Sequence, residues 1–313
     1  MVRWTRCGGF AALGLAALLT GCGEQRQSET AGSVEREDDG RLTVYVINYP
    51  LQYFAQRIGG DLVQVEFPAP VDVDPAYWSP DVDIVARYQS ADLILLNGAG
   101  YAKWVSTATL PMSKLVDTSV EITDRFITVE GAVTHTHGPE GDHSHGEVAF
   151  TTWLDPTLAL DQAHAIRQAL AEALPDGEEA FHQRFDSLAD DLLALDESLR
   201  NLFAGIGDRP LLASHPVYQY MARHYELNLA SIHFEPDQYP SENAWWDLQR
   251  LLAEHPAEWM IWEGEPMPET TTTLGQQGVR SVVFDPCSGA PEEGDYLTVM
   301  RKNVSNLIEA FGE

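Results

Sequence analysis

Positive charge is scarce in this sequence: 19 lysines and arginines face 48 aspartates and glutamates among 313 residues, for a formal net charge of -29. Phosphate binding needs a basic face, so nucleic acid is excluded as a partner. Cysteine is equally sparse, with only Cys7, Cys22 and Cys287. Catalytic signatures are missing too. There is no GxSxG elbow, no HExxH helix and no phosphate-binding glycine loop, and Cys287 has no basic neighbour in sequence to lower its pKa. These absences argue against an enzyme. Beyond the first two dozen residues no apolar run is long enough to span a bilayer.

The first residues are read as a leader. Arg3 and Arg6 precede an apolar run from Phe10 to Leu19, and Leu19-Thr20-Gly21-Cys22 supplies small residues leading into a cysteine. That is a secretion signal with a lipoprotein cleavage box over residues 1–21, so Cys22 is expected to become the lipidated first residue of the mature protein. Cleavage removes Arg3 and Arg6 and takes the formal charge from -29 to -31 (-29 - 2). It also removes Cys7, and with Cys22 acylated Cys287 stands alone, so no intramolecular disulfide is expected. Residues 22–40, poor in large apolar side chains, read as a disordered tether. The expected location is extracytoplasmic, lipid-anchored in the cell envelope and facing the periplasm where an outer membrane exists.

Short apolar runs then alternate with amphipathic stretches. Strands are expected at 41–48, 62–67, 92–97, 211–214, 227–232, 259–262 and 281–284, and helices at 51–58, 80–89, 217–225, 244–254 and 296–311. Between them, 156–173 and 178–203 carry the longest helical periodicity, broken at Leu174-Pro175-Asp176-Gly177. The reading is an α/β fold: two lobes with mainly parallel sheets, 41–155 and 207–313, joined by a long helical connector, 156–206, with the ligand cleft between the lobes.

Histidine is concentrated in one tract. Residues 134–147, THTHGPEGDHSHGE, place His135, His137, His143 and His145 among glycines and a proline. Imidazole suits zinc, copper, nickel and iron, while the glycines and proline oppose a stable helix or strand. Such a loop is suited to collecting or sensing a metal rather than to fixing its coordination. A second set of polar residues falls at strand ends, where α/β folds bind ligands: His215 after LLAS, Glu263 directly after WMIW with Glu265 two further on, and Asp285 directly after SVVF with Cys287 close behind. A histidine and a carboxylate from neighbouring strand ends make half of a zinc or manganese site.

Several pieces stand in a telling order: Tyr49-Pro50-Leu51 after the first strand, Asp74-Pro75 before Trp78, Asn97-Gly98-Ala99-Gly100 before Trp104, the histidine-rich loop, Trp153-Leu154-Asp155-Pro156, Ser214-His215, His224-Tyr225-Glu226-Leu227, and Phe284-Asp285-Pro286 before Tyr296 and Asn303. In this the chain resembles the zinc- and manganese-binding lipoproteins that deliver metal to ABC importers. The resemblance covers nearly all of the expected mature chain. It implies two α/β lobes joined by a long rigid helix, a monomer, an ABC importer permease as partner, and zinc, or else manganese or another divalent transition metal, as cargo. It also implies that His215 and Asp285 are cleft ligands.

The chain departs from the pattern where Ala76 and Thr151 stand in place of two histidines. Three replacements come to mind: His143 or His145 folding back from the loop, a Cys287 thiolate, or the phenol of Tyr77. The other reading is a diverged envelope protein of the same fold with a weak or altered site. It would serve as a metal buffer or sensor, an adhesion module, or a binder of a metal complex or small organic ligand in a cleft lined by Trp78, Trp104, Trp153 and Trp262.

Overall fold

Apolar runs bounded by asparagine, aspartate and glycine form the strands of two parallel sheets in the computed structural model, which describes residues 40–71, 73–129, 134–136, 142–144 and 148–312. The expected leader, the expected lipidation site Cys22 and nearly all of the expected tether therefore lie outside the described residues, as do His137 and His145.

The first sheet is built from β1 (Leu42–Val46), β2 (Val63–Glu66), β3 (Leu93–Leu96) and β4 (Leu115–Asp117) in the order β2-β1-β3-β4, all parallel. Parallel neighbours require crossovers, and the crossovers carry helices α1 (Tyr49–Gly59) and α2 (Val82–Ser90). Asn48 starts α1 by accepting the Leu51 N–H at 3.1 Å, and Pro50 fills a first-turn position where no donor is needed. Chain reversal after α1 falls on Gly60, at φ +54, a conformation that side chains adopt only under strain.

The second sheet comprises β7 (Leu211–Ala213), β8 (Leu229–Ser231), β9 (Trp259–Trp262) and β10 (Arg280–Val283), again parallel, in the order β10-β9-β7-β8. Helices α5 (Gln219–His224), α6 (Glu242–Glu254) and α7 (Pro268–Gln276) connect its strands, and α8 (Tyr296–Phe311) closes the chain.

Between the sheets the connector is a pair of helices, α3 (Pro156–Ala173) and α4 (Glu178–Ile206), joined by a tight turn at Pro175–Gly177. The 29 residues of α4 span about 43 Å at 1.5 Å per residue. Phe181, Leu188, Leu192, Leu195, Leu199 and Phe203 form its buried stripe, against which α3, α1 and α8 pack. The strut thus touches helices belonging to both sheets. The lobes also meet directly: Trp153 Nε1 donates to Pro286 O at 2.7 Å, Tyr296 Oη to Trp153 O at 3.1 Å, Tyr220 Oη to Ala149 O at 2.7 Å, and Tyr49 N to Ser288 O at 2.9 Å.

Three differences from the sequence reading have physical causes. The histidine-rich tract contains strands after all: β5 (Thr134–Thr136) and β6 (Asp142–Ser144) pair antiparallel with His135 opposite His143. Threonine and serine dominate the paired stretches, and the Gly-Pro segment falls between them. The short β4 and the helix α7 carry too little periodicity to be read, four of the nine residues of α7 being consecutive threonines behind Pro268 at its first turn. The tryptophans expected to line a cleft are largely core instead. Trp153 and Trp262 are fully buried, and their indole N–H groups are spent on Pro286 O and Ser281 Oγ.

Candidate metal site

The parallel strands of the second sheet end on one side, and backbone bonds continue the ladder past them. Ser214 N donates to Ile261 O at 2.8 Å, Ile232 N to Ala213 O at 2.9 Å, and Phe234 N to Ser214 O at 2.8 Å. These bonds lock the residues after β7, β8 and β9 side by side. His215, Glu235 and Glu263 consequently converge, with ligand atoms all within 4.8 Å of one another, the one group of its kind among the described residues. His215 Nδ1 lies 3.6 Å from Glu235 Oε1 and 3.7 Å from Glu263 Oε1. The imidazole is buried, the carboxylates are partly open, and His233 meets the His215 ring edge-on at 5.2 Å.

Donors bonded at about 2.1 Å to one small divalent ion stand about 3.0–3.6 Å apart across octahedral, tetrahedral and trigonal arrangements. At 3.6 and 3.7 Å from the two carboxylates, the His215 nitrogen stands close to that spacing. One imidazole and two carboxylates also neutralise a divalent cation, which lowers the cost of holding it in a partly buried place.

Of the residues expected from sequence at this site, His215 belongs to the converging group; Asp285 follows β10, which β9 separates from β7, and is not one of the three. Its Oδ1 accepts the Cys287 N–H at 2.6 Å, and its backbone is clamped by Asn303 at 2.9 and 2.7 Å. Burial raises the Asp285 carboxyl above the ordinary range, against the opposing pull of the Cys287 N–H. Cys287 does not join the group either. Its buried thiol is pushed up by desolvation and then by Asp285 and Asp295. Thr151, where a histidine was expected, is buried and donates its hydroxyl to Val217 O across the lobes. Ala76 is buried too, its N–H bound to Asp74 Oδ1 at 2.9 Å. The histidines of the loop lie outside the residues whose side chains are described.

Glu263 was visible in sequence as a strand-end acid. Glu235 was not, because His233 and Phe234 separate it from the apolar run, and the aromatic-acid step it shares with Trp262-Glu263 recurs at Phe284-Asp285. In the first lobe, Tyr77 packs edge-on against Phe150, with Lys103 Nζ 5.6 Å from its ring centre. Its phenol is raised by burial and then by Asp74, Glu263 and Glu235.

The family model described as the zinc-uptake complex component A, periplasmic, matches residues 44–310. The chain belongs to this family. Among relatives of the zinc-uptake component A chain, the zinc-binding lipoprotein AdcA of Streptococcus pneumoniae is 25% identical over 305 residues, covering 93% of this chain and 58% of its own length. The chain thus spans little more than half of the curated relatives it matches. The Zn(II)-bound ZnuA-like domain of the pneumococcal AdcA superposes with a TM-score of 0.74 at 22% identity, covering 88% of this chain and all of that domain. The metal-dependent lipoprotein YcdH of Bacillus subtilis gives 0.73 at 23%, covering 86% and 98%. These structures establish the two-lobed fold of the component A family for this chain.

Proposed function

We propose that the protein is an extracytoplasmic solute-binding lipoprotein that captures a divalent transition metal, zinc before manganese, and delivers it to an ABC importer permease. The observation that carries this reading is the convergence of His215, Glu235 and Glu263 at adjacent strand ends, with the imidazole nitrogen 3.6 and 3.7 Å from the two carboxylates. Family membership and the zinc-binding names of its relatives support it. In this reading residues 41–155 and 207–313 are the walls of the cleft, 156–206 the strut, and Cys22 the lipid attachment behind a signal of residues 1–21. The loop histidines His135, His137, His143 and His145 would gather metal ahead of the cleft.

The test is calorimetric zinc titration of the chelator-stripped folded unit, residues 40–313, beside a version lacking 134–146 and a His215→Ala version. One-to-one binding that survives loop removal and falls at least a hundredfold in His215→Ala is expected, since a direct ligand matters more than the ten- to hundredfold of an outer-shell partner. Weak multiple binding that vanishes with the loop and ignores His215 would defeat the reading.

A further inference from the structure

The backbone around His215 is held on both sides. Before it, Ser214 is locked into the sheet, its N–H donating to Ile261 O and its carbonyl accepting from Phe234 N, each at 2.8 Å. After it the chain turns at once. Val217 N donates to His215 O at 2.9 Å and closes a three-residue turn around Pro216, whose ring fixes its own φ. The α5 ladder begins with Ala222 N on Tyr218 O at 2.8 Å, which leaves Val217 O one residue outside it. That carbonyl accepts the hydroxyl of Thr151, which comes from the other lobe. Thr151 is buried, and its neighbours are tied into the first lobe. Phe150 O accepts from Asn97 Nδ2 at 2.9 Å, Thr152 Oγ1 donates to Gln162 Oε1 at 2.9 Å, and Leu154 N closes on Thr151 O at 3.1 Å. A β-branched side chain on so fixed a backbone has few rotamers open to it. The bond therefore joins a rigid part of the first lobe to the turn that carries the imidazole.

Resting on the metal-site reading above, we propose that Thr151 is a positioning residue for His215: its hydroxyl holds the turn in the setting that keeps the imidazole against Glu235 and Glu263. It acts through Val217 O and is not itself a donor to the ion. A turn free to pivot at Pro216 would carry the His215 nitrogen away from the two acids, which stay with their own strands. A group built wholly on the second lobe thus depends on a hydroxyl of the first, and the packing of the lobes is coupled to how well the ion is held. Tyr220 supplies the contrast. Its Oη donates to Ala149 O at 2.7 Å across the same seam, but from within α5, so that bond fastens the helix rather than the turn.

The experiment compares the folded unit, residues 40–313, as wild type, Thr151→Val, Thr151→Ala, Thr151→Ser, Tyr220→Phe and His215→Ala. Zinc affinity is measured by chelator competition, Tm without metal, and the visible ligand-field spectrum on the Co2+-loaded proteins. Loss of the hydroxyl in Thr151→Val and Thr151→Ala should weaken zinc binding roughly ten- to hundredfold and alter the Co2+ spectrum, as removal of a group that orients a ligand does. Thr151→Ser should restore both. Tyr220→Phe should lower Tm yet keep the affinity and spectrum of wild type. The proposal is overturned if Thr151→Val and Thr151→Ala bind zinc as wild type does, whatever their Tm. It is equally overturned if Thr151→Ser is as weak as Thr151→Val, or if Tyr220→Phe loses as much affinity. His215→Ala separates the two readings: if it binds zinc as wild type does, the metal site itself is misassigned, whereas a lost site beside an indifferent Thr151→Val removes only the role of Thr151.

Discussion

At three of the four strand ends of the second sheet an acid or imidazole turns towards one point, and at the fourth it turns into a backbone loop. Glu263 and Asp285 look equivalent on paper, each directly following an apolar strand or its last aromatic residue. Substituting them separates the two roles. Glu263→Gln should lower zinc affinity by at least a hundredfold, whereas Asp285→Asn keeps its oxygen for the Cys287 N–H and should cost much less. Equal losses in competition titrations would put Asp285 at the ion. Cys287 gives a second check. With 2% exposure and a thiol raised by burial, it should react slowly with a thiol reagent at pH 8 and completely once the protein is unfolded. The sequence pairs His215 with Asp285 and marks Glu263 only as another strand-end acid; what it does not show is which strand ends are neighbours. Strand ends are visible as apolar runs meeting a polar residue, but the order β10-β9-β7-β8 is a tertiary fact. Chain order makes β10 the next partner after β9, while space puts β8, and with it Glu235, beside His215.

The elements themselves were more legible than their neighbours. α3, β9 and α8 fall where apolar spacing and capping residues place them, with Asp155 and Asp295 accepting N–H bonds at the starts of α3 and α8. What spacing does not reveal is how α5 is fastened to the strut. His224 Nε2 lies 2.7 Å from Asp196 Oδ1, Tyr225 Oη donates to the same oxygen at 3.0 Å, and Arg200 reaches Asp196 Oδ2 at 3.0 Å. The other imidazole nitrogen faces Asp155 at 3.5 Å, so one cluster joins α4, α5 and the start of α3. Burial disfavours the Asp196 carboxylate, yet the bonds from Arg200, His224 and Tyr225 outweigh it and hold its pKa below the usual range. A carboxylate lowered on folding stabilises the fold above its unfolded pKa of about 4 and loses that contribution as pH falls through its folded value. Asp196→Ala should therefore cost about 2–4 kcal/mol at pH 7, lowering Tm by roughly 5–15 °C. The Tm gap from wild type should narrow below about pH 4, and a gap that does not change with pH would show that packing rather than charge accounts for it.

Across the molecule, the lobes are not hung on a free hinge. α4 packs on both α1 and α8, and buried aromatic residues bond across the cleft floor, Trp153 to Pro286, Tyr296 to Trp153 and Tyr220 to Ala149. Opening the cleft by domain rotation would unpair each of these buried groups at about 1–3 kcal/mol apiece. Three such bonds cost about 3–9 kcal/mol together, a large share of the roughly 12 kcal/mol that nanomolar affinity represents, so a wide swing would consume much of the binding free energy. Small-angle scattering of the folded unit with and without zinc should accordingly give radii of gyration that agree within error. Weakening the floor should release the motion. Trp153→Phe keeps the ring stack on Tyr101 but removes the N–H held by Pro286 O, and it should lower Tm by a few degrees and widen the metal-free scattering envelope. A wild-type protein that contracts measurably on binding zinc would mean that the floor contacts yield, and that capture proceeds by closing the lobes rather than by filling a standing cleft.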